Sequence, residues 1–274
     1  MVNMGNVWDR TTEFLSDNLG AIMPITLLAI CLPAIVIQTM TGAIAEIGIG
    51  TVYAVAALLA LPALWGQLFI IGLALQPDAG GAAATRTATQ AFGRALLVML
   101  LLFATWVVLA VPIALALAGS GIDMAALQAG SGAALDGMSG AAVSFMLCYG
   151  IALLVVILFV STRLMMLYPV IAAEGGVISA LRRAFALSRG MFWRIFGVMV
   201  LFVVVYLVAE AAVGSVFGLI FRLLAPSAGP FGVGAVVVAI LTAMVRTGYT
   251  VLVSAFAAKL YRAAVVAREG APAA

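Results

Sequence analysis

An uncharged apolar run fills residues 141–162 of the chain and reads AAVSFMLCYGIALLVVILFVST. A helix needs about 20 such residues to cross the hydrocarbon core of a bilayer. Inside the bilayer, only helices and closed barrels satisfy all of their backbone hydrogen bonds. The run lacks the alternation of polar and apolar residues that is typical of the strands of a barrel. It therefore predicts a membrane-spanning α-helix.

Five further stretches have the same character, so we predict an all-α polytopic membrane protein with six transmembrane helices. The composition agrees, because 66% of residues are hydrophobic, 8% are charged and the mean hydropathy is +1.29. A soluble domain carries about 25% charged residues. We treat residues 1–274 as a single membrane domain. The predicted spans are 19–41, 50–75, 95–118, 141–168, 194–222 and 231–261.

The distribution of Arg and Lys predicts the orientation of the spans, since cytoplasmic loops carry an excess of basic residues. With the N-terminus inside, every basic residue except Arg222 and Arg246 lies at the cytoplasmic face. The 119–140 segment contains Asp123 and Asp136 and no basic residue, as expected of a periplasmic loop. We expect a multi-pass protein of the bacterial inner membrane with both termini in the cytoplasm.

Residues 3–18 predict an amphipathic interfacial helix that lies along the cytoplasmic membrane surface. Its apolar side carries Val7, Trp8, Phe14 and Leu15, and another side carries Asp9, Glu13 and Asp17. An acidic stripe does not favour anionic lipid. Two partners therefore stay open for this helix: lipid headgroups, and protein, including the basic segment at 177–189.

A second amphipathic surface helix is predicted at residues 177–189. The apolar half of its helical wheel contains Val177, Ile178, Leu181, Ala184, Phe185 and Ser188. The candidate lipid-headgroup contacts are Arg182, Arg183 and Arg189 on the other half, with Arg194 just beyond the helix. Two interpretations stay open: an elbow that joins two spans, and a headgroup site on these arginines.

The first half of the chain carries a fainter copy of this arrangement. Gly80 and Gly81 precede a segment in which Arg86, Gln90 and Arg94 recur every four residues, just before the third span. Both copies run in the same direction, so we predict a weak internal parallel repeat. Inverted repeats are better known in transporters, although parallel repeats also occur there.

Two ionisable residues, Glu210 and Arg246, lie deep inside the predicted spans. Glu210 is about 24 Å along the helix from Arg194, and Arg246 is about 20 Å from Lys259. Each charge alone at the bilayer centre would cost at least ~2.5 kcal/mol. We therefore expect the two side chains to pair. The candidate intramembrane polar site consists of Glu210, Arg246, Thr242 and Thr250.

Small residues support a close approach of the fifth and sixth spans at this depth. Glu210, Gly214 and Gly218 form a stripe that repeats every four residues, which is typical of closely packed membrane helices. Two interpretations of the charged pair stay open. It is either a buried ion pair that fixes the packing of the two spans, or a polar site for a substrate headgroup or an ion.

The residues that the sequence lacks disfavour catalysis. The chain has no His and two Cys. It contains no G-x-S-x-G nucleophile motif, no phosphate-binding Gly-rich loop and no acidic cluster with metal-ligand spacing. We expect no catalytic residue, no metal and no cofactor, and a protein that is not an enzyme. The net charge of +3 is explained by the topology, so we expect no nucleic-acid partner.

Three motifs in the second half occur in a fixed order: RLMMLYP at 163–169, EGG at 174–176 and ALRRAFALSRGMFWR at 180–194. Together they resemble the signature of the bacterial glycerophosphoryl diester phosphodiesterase membrane-domain family and its YciC-like relatives. Ala184 and Phe185 stand where that family usually has Ser and Trp. The resemblance implies a six-span inner-membrane protein. It implies no phosphodiesterase activity, because we find no such domain in this sequence.

The function that we expect is non-enzymatic and lies in lipid or envelope homeostasis, with binding or movement of a lipid or small amphiphile. An accessory or structural subunit of a larger membrane complex is the alternative, and an integral lipid-modifying enzyme is the second alternative. The expected partners are membrane lipids, with other membrane subunits or a second copy of the chain as further candidates.

Overall fold

The computed structural model describes residues 2–119, 139–224 and 231–270. Within these ranges the chain forms helices and no strand, which confirms the all-α fold class. Six helical segments are long and apolar enough to cross a membrane. These segments are Leu19–Gly42, Ile49–Leu75, Pro77–Gly119, Gly140–Ala173, Phe192–Phe221 and Val233–Arg268.

The helices are numbered in chain order. The first half contains α1 (Met4–Asp17), α2 (Leu19–Ile25), a π-helix (Thr26–Cys31), α3 (Leu32–Gly42), α4 (Ile44–Ile47), α5 (Ile49–Leu75) and α6 (Gly80–Gly119). The second half contains α7 (Gly140–Leu164), α8 (Leu167–Ala173), α9 (Ile178–Ser188), α10 (Phe192–Leu224) and α11 (Val233–Glu269). The predicted periplasmic loop falls almost wholly on residues 120–138, which lie outside the described residues.

The third span differs most from its predicted bounds. The sequence predicts that it begins at residue 95, after a separate Arg-bearing surface helix. In the structure, Arg86, Gln90 and Arg94 lie on α6 itself, which continues into the span without a break. In the second half, α9 and α10 are separate helices, and Gly190 lies between them with a φ of 82°. The two copies of the predicted repeat therefore differ in this element.

The chain divides into two compact units, which are Met1–Leu96 with Arg163–Ala274, and Leu97–Thr162. In the smaller unit, the Tyr149 hydroxyl donates a 2.8 Å hydrogen bond to the Leu109 carbonyl and so links two helical segments. In the larger unit, α11 is the central helix and packs against α1, α3, α5 and α10.

The N-terminal helix α1 packs on α11 and buries Val7, Thr11 and Phe14. The Thr11 hydroxyl donates to the Val7 carbonyl, so its polar group is satisfied. Lys259 of α11 has its Nζ 4.6 Å from the centre of the Phe14 ring. The same Nζ donates a 3.0 Å hydrogen bond to the Ala74 carbonyl in the last turn of α5, where carbonyls lack intrahelical partners. Lys259 therefore joins α1, α5 and α11.

The predicted faces of α1 are present in the structure. Asp9, Glu13 and Asp17 are exposed, and Val7 and Phe14 are buried. The helix meets α11 of its own chain along its buried stripe, while the Trp8 side chain stays 41% exposed. A further tie comes from Arg194, whose Nη1 donates a 3.1 Å hydrogen bond to the Val2 carbonyl just before α1.

The first span is widened by its π-helix, Thr26–Cys31. Pro24 precedes it by two residues, and a proline interrupts the helical hydrogen-bond ladder because it has no N–H. The widened turn lies directly against Gly66 of α5. A Cβ atom at Gly66 would lie 3.0 Å from both the Ala29 Cβ and the Ile30 Cγ1. The first two spans therefore pack closely at Gly66, where α5 has no side chain.

We expect Gly66→Leu to destabilise the protein, because the new side chain would overlap Ala29 and Ile30. Overpacking costs about 1–3 kcal/mol, so the midpoint of thermal unfolding in detergent should fall by several degrees. Gly93→Leu is the matched control, since nothing lies within 4 Å of a Cβ atom at that mid-helix position. Equal midpoints for the two variants would contradict the close contact.

Candidate functional site

A cleft of about 650 Å³ lies between α1, α10 and α11; we call it the apolar cleft. It is lined by Met4, Gly5, Trp8, Val198, Leu201, Phe202, Val205, Tyr206, Ala209, Met244, Val245, Gly248, Tyr249, Leu252 and Phe256. None of these residues is charged, and the side-chain hydroxyls among them belong to the two tyrosines. Small-molecule sites typically have volumes of about 300–1,000 Å³, so the cleft is of a suitable size for a ligand.

Aromatic rings form much of the wall. The rings of Trp8 and Phe202 lie 6.0 Å apart between centres, and Phe202 meets Phe256 edge to face at 5.2 Å. Further along the same two spans, Tyr206 and Tyr249 lie 4.7 Å apart. Such contacts add about 0.5–1.5 kcal/mol per pair beyond their buried area. The aromatic pairs therefore tie α1 to α10, and α10 to α11, along the cleft.

A polar cluster lies at the end of the apolar cleft that is remote from α1. Glu210 is one helical turn beyond Tyr206 on α10, and its carboxyl group lies close enough to act on the Tyr206 hydroxyl. Arg246 and Tyr249 of α11 lie close enough to act on Tyr206 electrostatically. The cluster therefore centres on the Tyr206 hydroxyl.

The predicted pairing of Glu210 with Arg246 is not direct. Both residues lie in the described part of the chain, and no ion pair within 4.0 Å joins them. Arg246 is exposed on the surface of the protein, and Glu210 is half-buried. The two residues share Tyr206 as a common neighbour, because this tyrosine reaches from α10 towards α11.

The two threonines of the predicted polar site satisfy their hydroxyls on their own helix. Thr242 is buried and donates to the carbonyls of Val238 and Ala239. Thr250 donates a 2.9 Å hydrogen bond to the Arg246 carbonyl. Such bonds to the preceding turn are common for threonine inside helices. None of these three bonds reaches α10, so they do not link the two helices.

The predicted glycine stripe on α10 does not mark the close approach of the last two spans. Nothing lies within 4 Å of a Cβ atom placed at Gly214 or Gly218. The helices meet closely elsewhere, because a Cβ atom at Gly234 of α11 would lie 2.7 Å from the Phe221 Cβ. Close packing depends on which residue faces the neighbouring helix, and spacing along one helix does not determine that.

Glu174 ties the segment around α9 to α11. Its Oε1 accepts a 2.7 Å hydrogen bond from the Tyr261 hydroxyl and forms a 3.2 Å ion pair with the Arg183 Nε. Gly175 and Gly176 follow with φ angles of 73° and 79°, which favour glycine. The acidic residue of the EGG motif therefore has a structural role, and Arg183 is engaged within the protein.

The other three predicted headgroup contacts lie at exposed positions. Arg182, Arg189 and Arg194 are all exposed. The Arg189 carbonyl accepts a 2.7 Å hydrogen bond from Arg268 at the end of α11, which holds the end of α9 in place. The structure thus separates Arg183 and Arg194, whose side chains bond other groups of the protein, from Arg182 and Arg189.

The buried face of α9 differs from the predicted one. It consists of Ala180, Ala184, Leu187 and Ser188. Ile178 and Phe185, which belong to the predicted apolar half, are 64% and 38% exposed. Small residues let α9 approach α8 and α11 closely, so the face with Ala180 packs inward. The exposed stripe then carries Ile178 and Phe185 together with Arg182 and Arg189, which suits a membrane interface.

In the ranges that the structure describes, no group of three or more His, Cys, Asp or Glu residues could hold a metal ion. Cys31 is buried and Cys148 is exposed, and neither is in a disulfide. The chemistry available in the apolar cleft is therefore that of apolar contacts and two phenolic hydroxyls.

Comparison with known proteins identifies no relative of this chain. No family model matches the chain, and neither a curated protein nor a solved structure is significantly similar to it. The resemblance carried by residues 160–200 therefore stays a prediction. The class of the protein rests on its own fold, which is that of an all-α polytopic membrane protein with six candidate spans among the described residues.

Sequence reasoning missed several residues that shape the site. Tyr206 and Tyr249 had a local signal, since they lie four residues before Glu210 and three after Arg246, on the same helix faces. The partners of two other missed residues are distant in sequence. Tyr261 bonds a residue 87 positions away, and Lys259 one 185 positions away. No local pattern indicates contacts at such separations.

We expect Tyr206→Phe to lower the thermal midpoint, because it removes the hydroxyl group that lies beside the Glu210 carboxylate. Hydrogen bonds to charged groups contribute about 1.5–3 kcal/mol. Glu210→Gln removes the charge from the same contact, so the losses in a double variant should not add. Tyr53→Phe is the control, since that ring is 67% exposed. Fully additive losses would show that Tyr206 and Glu210 do not interact.

Proposed function

We propose that the protein is a non-enzymatic membrane protein that binds one acyl chain of a phospholipid in the apolar cleft and acts in lipid or envelope homeostasis. One observation carries this proposal: an uncharged cleft of about 650 Å³ lies between helices that are long and apolar enough to span a membrane. In a bilayer, the ligands present at high concentration at such a cleft are the lipids themselves.

The length of the cleft supports an acyl chain as the ligand. Its lining runs from Val198 to Ala209 on α10 and from Met244 to Phe256 on α11. At 1.5 Å per residue, these stretches are about 17 and 18 Å long. Half of the hydrocarbon core of a bilayer is about 15 Å thick. The cleft therefore has about the depth of one leaflet.

The end of the cleft at α1 suits a headgroup. Trp8 lines the cleft there, and tryptophan is enriched at membrane–water interfaces. Arg194 lies at the start of α10 with its side chain exposed and bonded to the Val2 carbonyl. Arg182 and Arg189 are exposed on α9. Basic residues at this level attract anionic headgroups, so the phosphate of the lipid would lie at this end.

The polar cluster at the other end of the apolar cleft would limit the length of the bound acyl chain. Glu210 and Arg246 are not among the lining residues of the cleft, and Tyr206 stands between them. Ionisable groups at this depth are costly in lipid and often functional. An acyl chain that extends past the leaflet midpoint would meet these groups, so the cluster would discriminate against longer chains. It would also bind the polar group of a small amphiphile.

The orientation that we propose places α1, α9 and the end of α11 in the cytoplasm of a bacterial cell, at the inner membrane. The basic residues concentrate at that end of the spans, as cytoplasmic segments require. The bound lipid would then belong to the cytoplasmic leaflet. Membership of the glycerophosphoryl diester phosphodiesterase membrane-domain family is part of the same proposal and rests on the motifs between residues 160 and 200.

An accessory or structural subunit is the alternative function, and the smaller unit supports it. Large apolar side chains are exposed along Leu97–Thr162, including Phe103 at 61%, Trp106 at 56% and Leu147 at 63%. Such a surface suits lipid and equally suits a neighbouring membrane subunit or a second copy of the chain. A lipid-modifying enzyme is less well supported, because the apolar cleft offers no acid–base pair.

A cleft-filling variant tests the proposal. Nothing lies within 4 Å of a Cβ atom at Gly248, which lines the apolar cleft, so Gly248→Trp should fill the cleft without distorting the helix. We expect native mass spectrometry of the detergent-purified protein to show a retained phospholipid in the wild type and a loss of most of it in this variant. Gly214→Trp is the control, since that glycine is equally open and lies outside the cleft.

Lipid retention that is equal in the wild type and in Gly248→Trp would refute the acyl-chain site. A protein that copurifies in stoichiometric amount and is retained by both variants would favour the accessory subunit instead. In either case, unchanged thermal midpoints are needed to show that the tryptophan variants are folded.

The proposed orientation is tested by cysteine accessibility in intact cells, in a variant without Cys31 and Cys148. A cysteine at Ala126 should react with an impermeant reagent, and one at Ala271 should react only after the cells are opened. Both positions lie outside the described residues, in the predicted periplasmic loop and the C-terminal segment. Labelling of Ala271 in intact cells would overturn the six-span orientation.

A further inference from the structure

A second, smaller cleft of about 340 Å³ lies on the other side of α1; we call it the cationic cleft. Arg10 of α1 and Lys259 and Arg262 of α11 line it, together with Asn3 and Asn6. Met4, Gly5 and Trp8 line the apolar cleft, and at 100° per residue they lie on the opposite face of α1. The two clefts are therefore distinct, and a ligand of the cationic cleft is independent of the proposed function.

The cationic cleft has no acidic residue in its lining. The same three basic residues also border a neighbouring cleft of about 540 Å³, whose lining includes Glu13, Asp17 and Asp78. The carboxylates thus lie on one side of the basic residues and the cationic cleft on the other. Across the described ranges, no ion pair within 4.0 Å links a carboxylate to Arg10 or Lys259.

The side chain of Lys259 lies between the cationic cleft and the neighbouring cleft, and two contacts hold its charge in place. Its Nζ donates to the Ala74 carbonyl at 3.0 Å and lies over the Phe14 ring at 4.6 Å. The charges of Arg10 and Arg262 act on it from close by, as do the opposite charges of Glu13 and Asp78 on the side of the neighbouring cleft. Arg10 and Arg262 carry like charges on the wall of the cationic cleft, and an anion bound there would reduce their mutual repulsion.

The N-terminus of α1 adds to the positive potential. Asn3 is the N-cap residue, and its Oδ1 accepts a 2.9 Å hydrogen bond from the Gly5 N–H. Val2 and Asn3 both line the cationic cleft, so the positive end of the helix dipole borders it. Helix N-termini favour phosphate and other anions, and here the effect is combined with three basic side chains.

We propose that the cationic cleft binds a phosphoryl group through Arg10, Lys259 and Arg262. Arginine matches phosphate oxygens with paired N–H donors, and lysine adds a point charge, so the side chains suit this ligand class. The group is carried either by the headgroup of an anionic phospholipid or by free phosphate in solution. These two sources share the same chemistry at the cleft and are distinguished by the experiment.

The experiment uses the full chain in phosphatidylcholine nanodiscs, with Arg10→Gln, Arg262→Gln and the control Arg86→Gln. Arg10 and Arg86 are both exposed arginines, and Arg86 does not line the cleft. One arm titrates inorganic phosphate at constant ionic strength and follows the phosphorus NMR line width. The other arm adds phosphatidylglycerol to the nanodiscs and counts retained lipids by native mass spectrometry.

We expect about fivefold weaker binding in Arg10→Gln and in Arg262→Gln, and no change in Arg86→Gln. Higher salt should weaken wild-type binding as well. Arginine-dependent binding of inorganic phosphate would support a free phosphate ligand. Arginine-dependent retention of phosphatidylglycerol, without phosphate binding, would support a lipid headgroup. Binding in neither arm, or equal effects of the three variants, would overturn the proposal.

The same variants separate this proposal from that of the apolar cleft. Gly248→Trp should leave phosphate or phosphatidylglycerol binding at the cationic cleft intact, because Gly248 lies on the wall of the other cleft. Arg10→Gln should leave the acyl chain in the apolar cleft in place. Failure of one prediction therefore leaves the other standing.

Discussion

The contacts of Lys259 tie α1, α5 and α11 together at one end of the larger unit. Its ammonium group bonds the Ala74 carbonyl at the end of α5 and lies over the Phe14 ring of α1. The carbonyls of a helix end need partners, and a cation at a helix C-terminus also interacts favourably with the helix dipole. Both clefts use α1 as a wall, so both depend on this contact. The hydrogen bond from Arg194 to the Val2 carbonyl adds a second tie from α10.

The membrane explains the hydrogen bonds of several polar side chains in the spans. A polar group in the hydrocarbon region must find its partner within the protein. The hydroxyls of Thr242 and Thr250 therefore bond the preceding turn of their own helix. Glu210 instead lies beside the Tyr206 hydroxyl, at the end of an otherwise apolar cleft. An ionisable group inside a membrane lowers the stability of the protein. Such groups are often functional, which is the physical argument for a ligand at that end of the cleft.

Hydrophobic length predicted the six spans well, because the thickness of the bilayer acts on each segment independently of the others. The faces of the helices were predicted less well. The buried face of α9 includes Ala180 and Leu187, whereas Ile178 and Phe185 of the predicted apolar half are exposed. In a soluble protein apolar side chains turn inward, but near a membrane they are as stable facing lipid. Hydropathy periodicity therefore does not identify the packed face, and the same argument explains the open space around Gly214.

The sequence by itself determined the class of the protein, the positions of the spans and the residues at which charge occurs within them. These features follow from composition and from the solvent, which act on each segment locally. Only the tertiary structure decided that α1 packs on α11, that Glu174 joins Arg183 to Tyr261, and that two clefts lie on opposite faces of one helix. Most of these contacts join residues far apart in the chain. Helix packing depends on the shape of facing side chains, which no single segment contains.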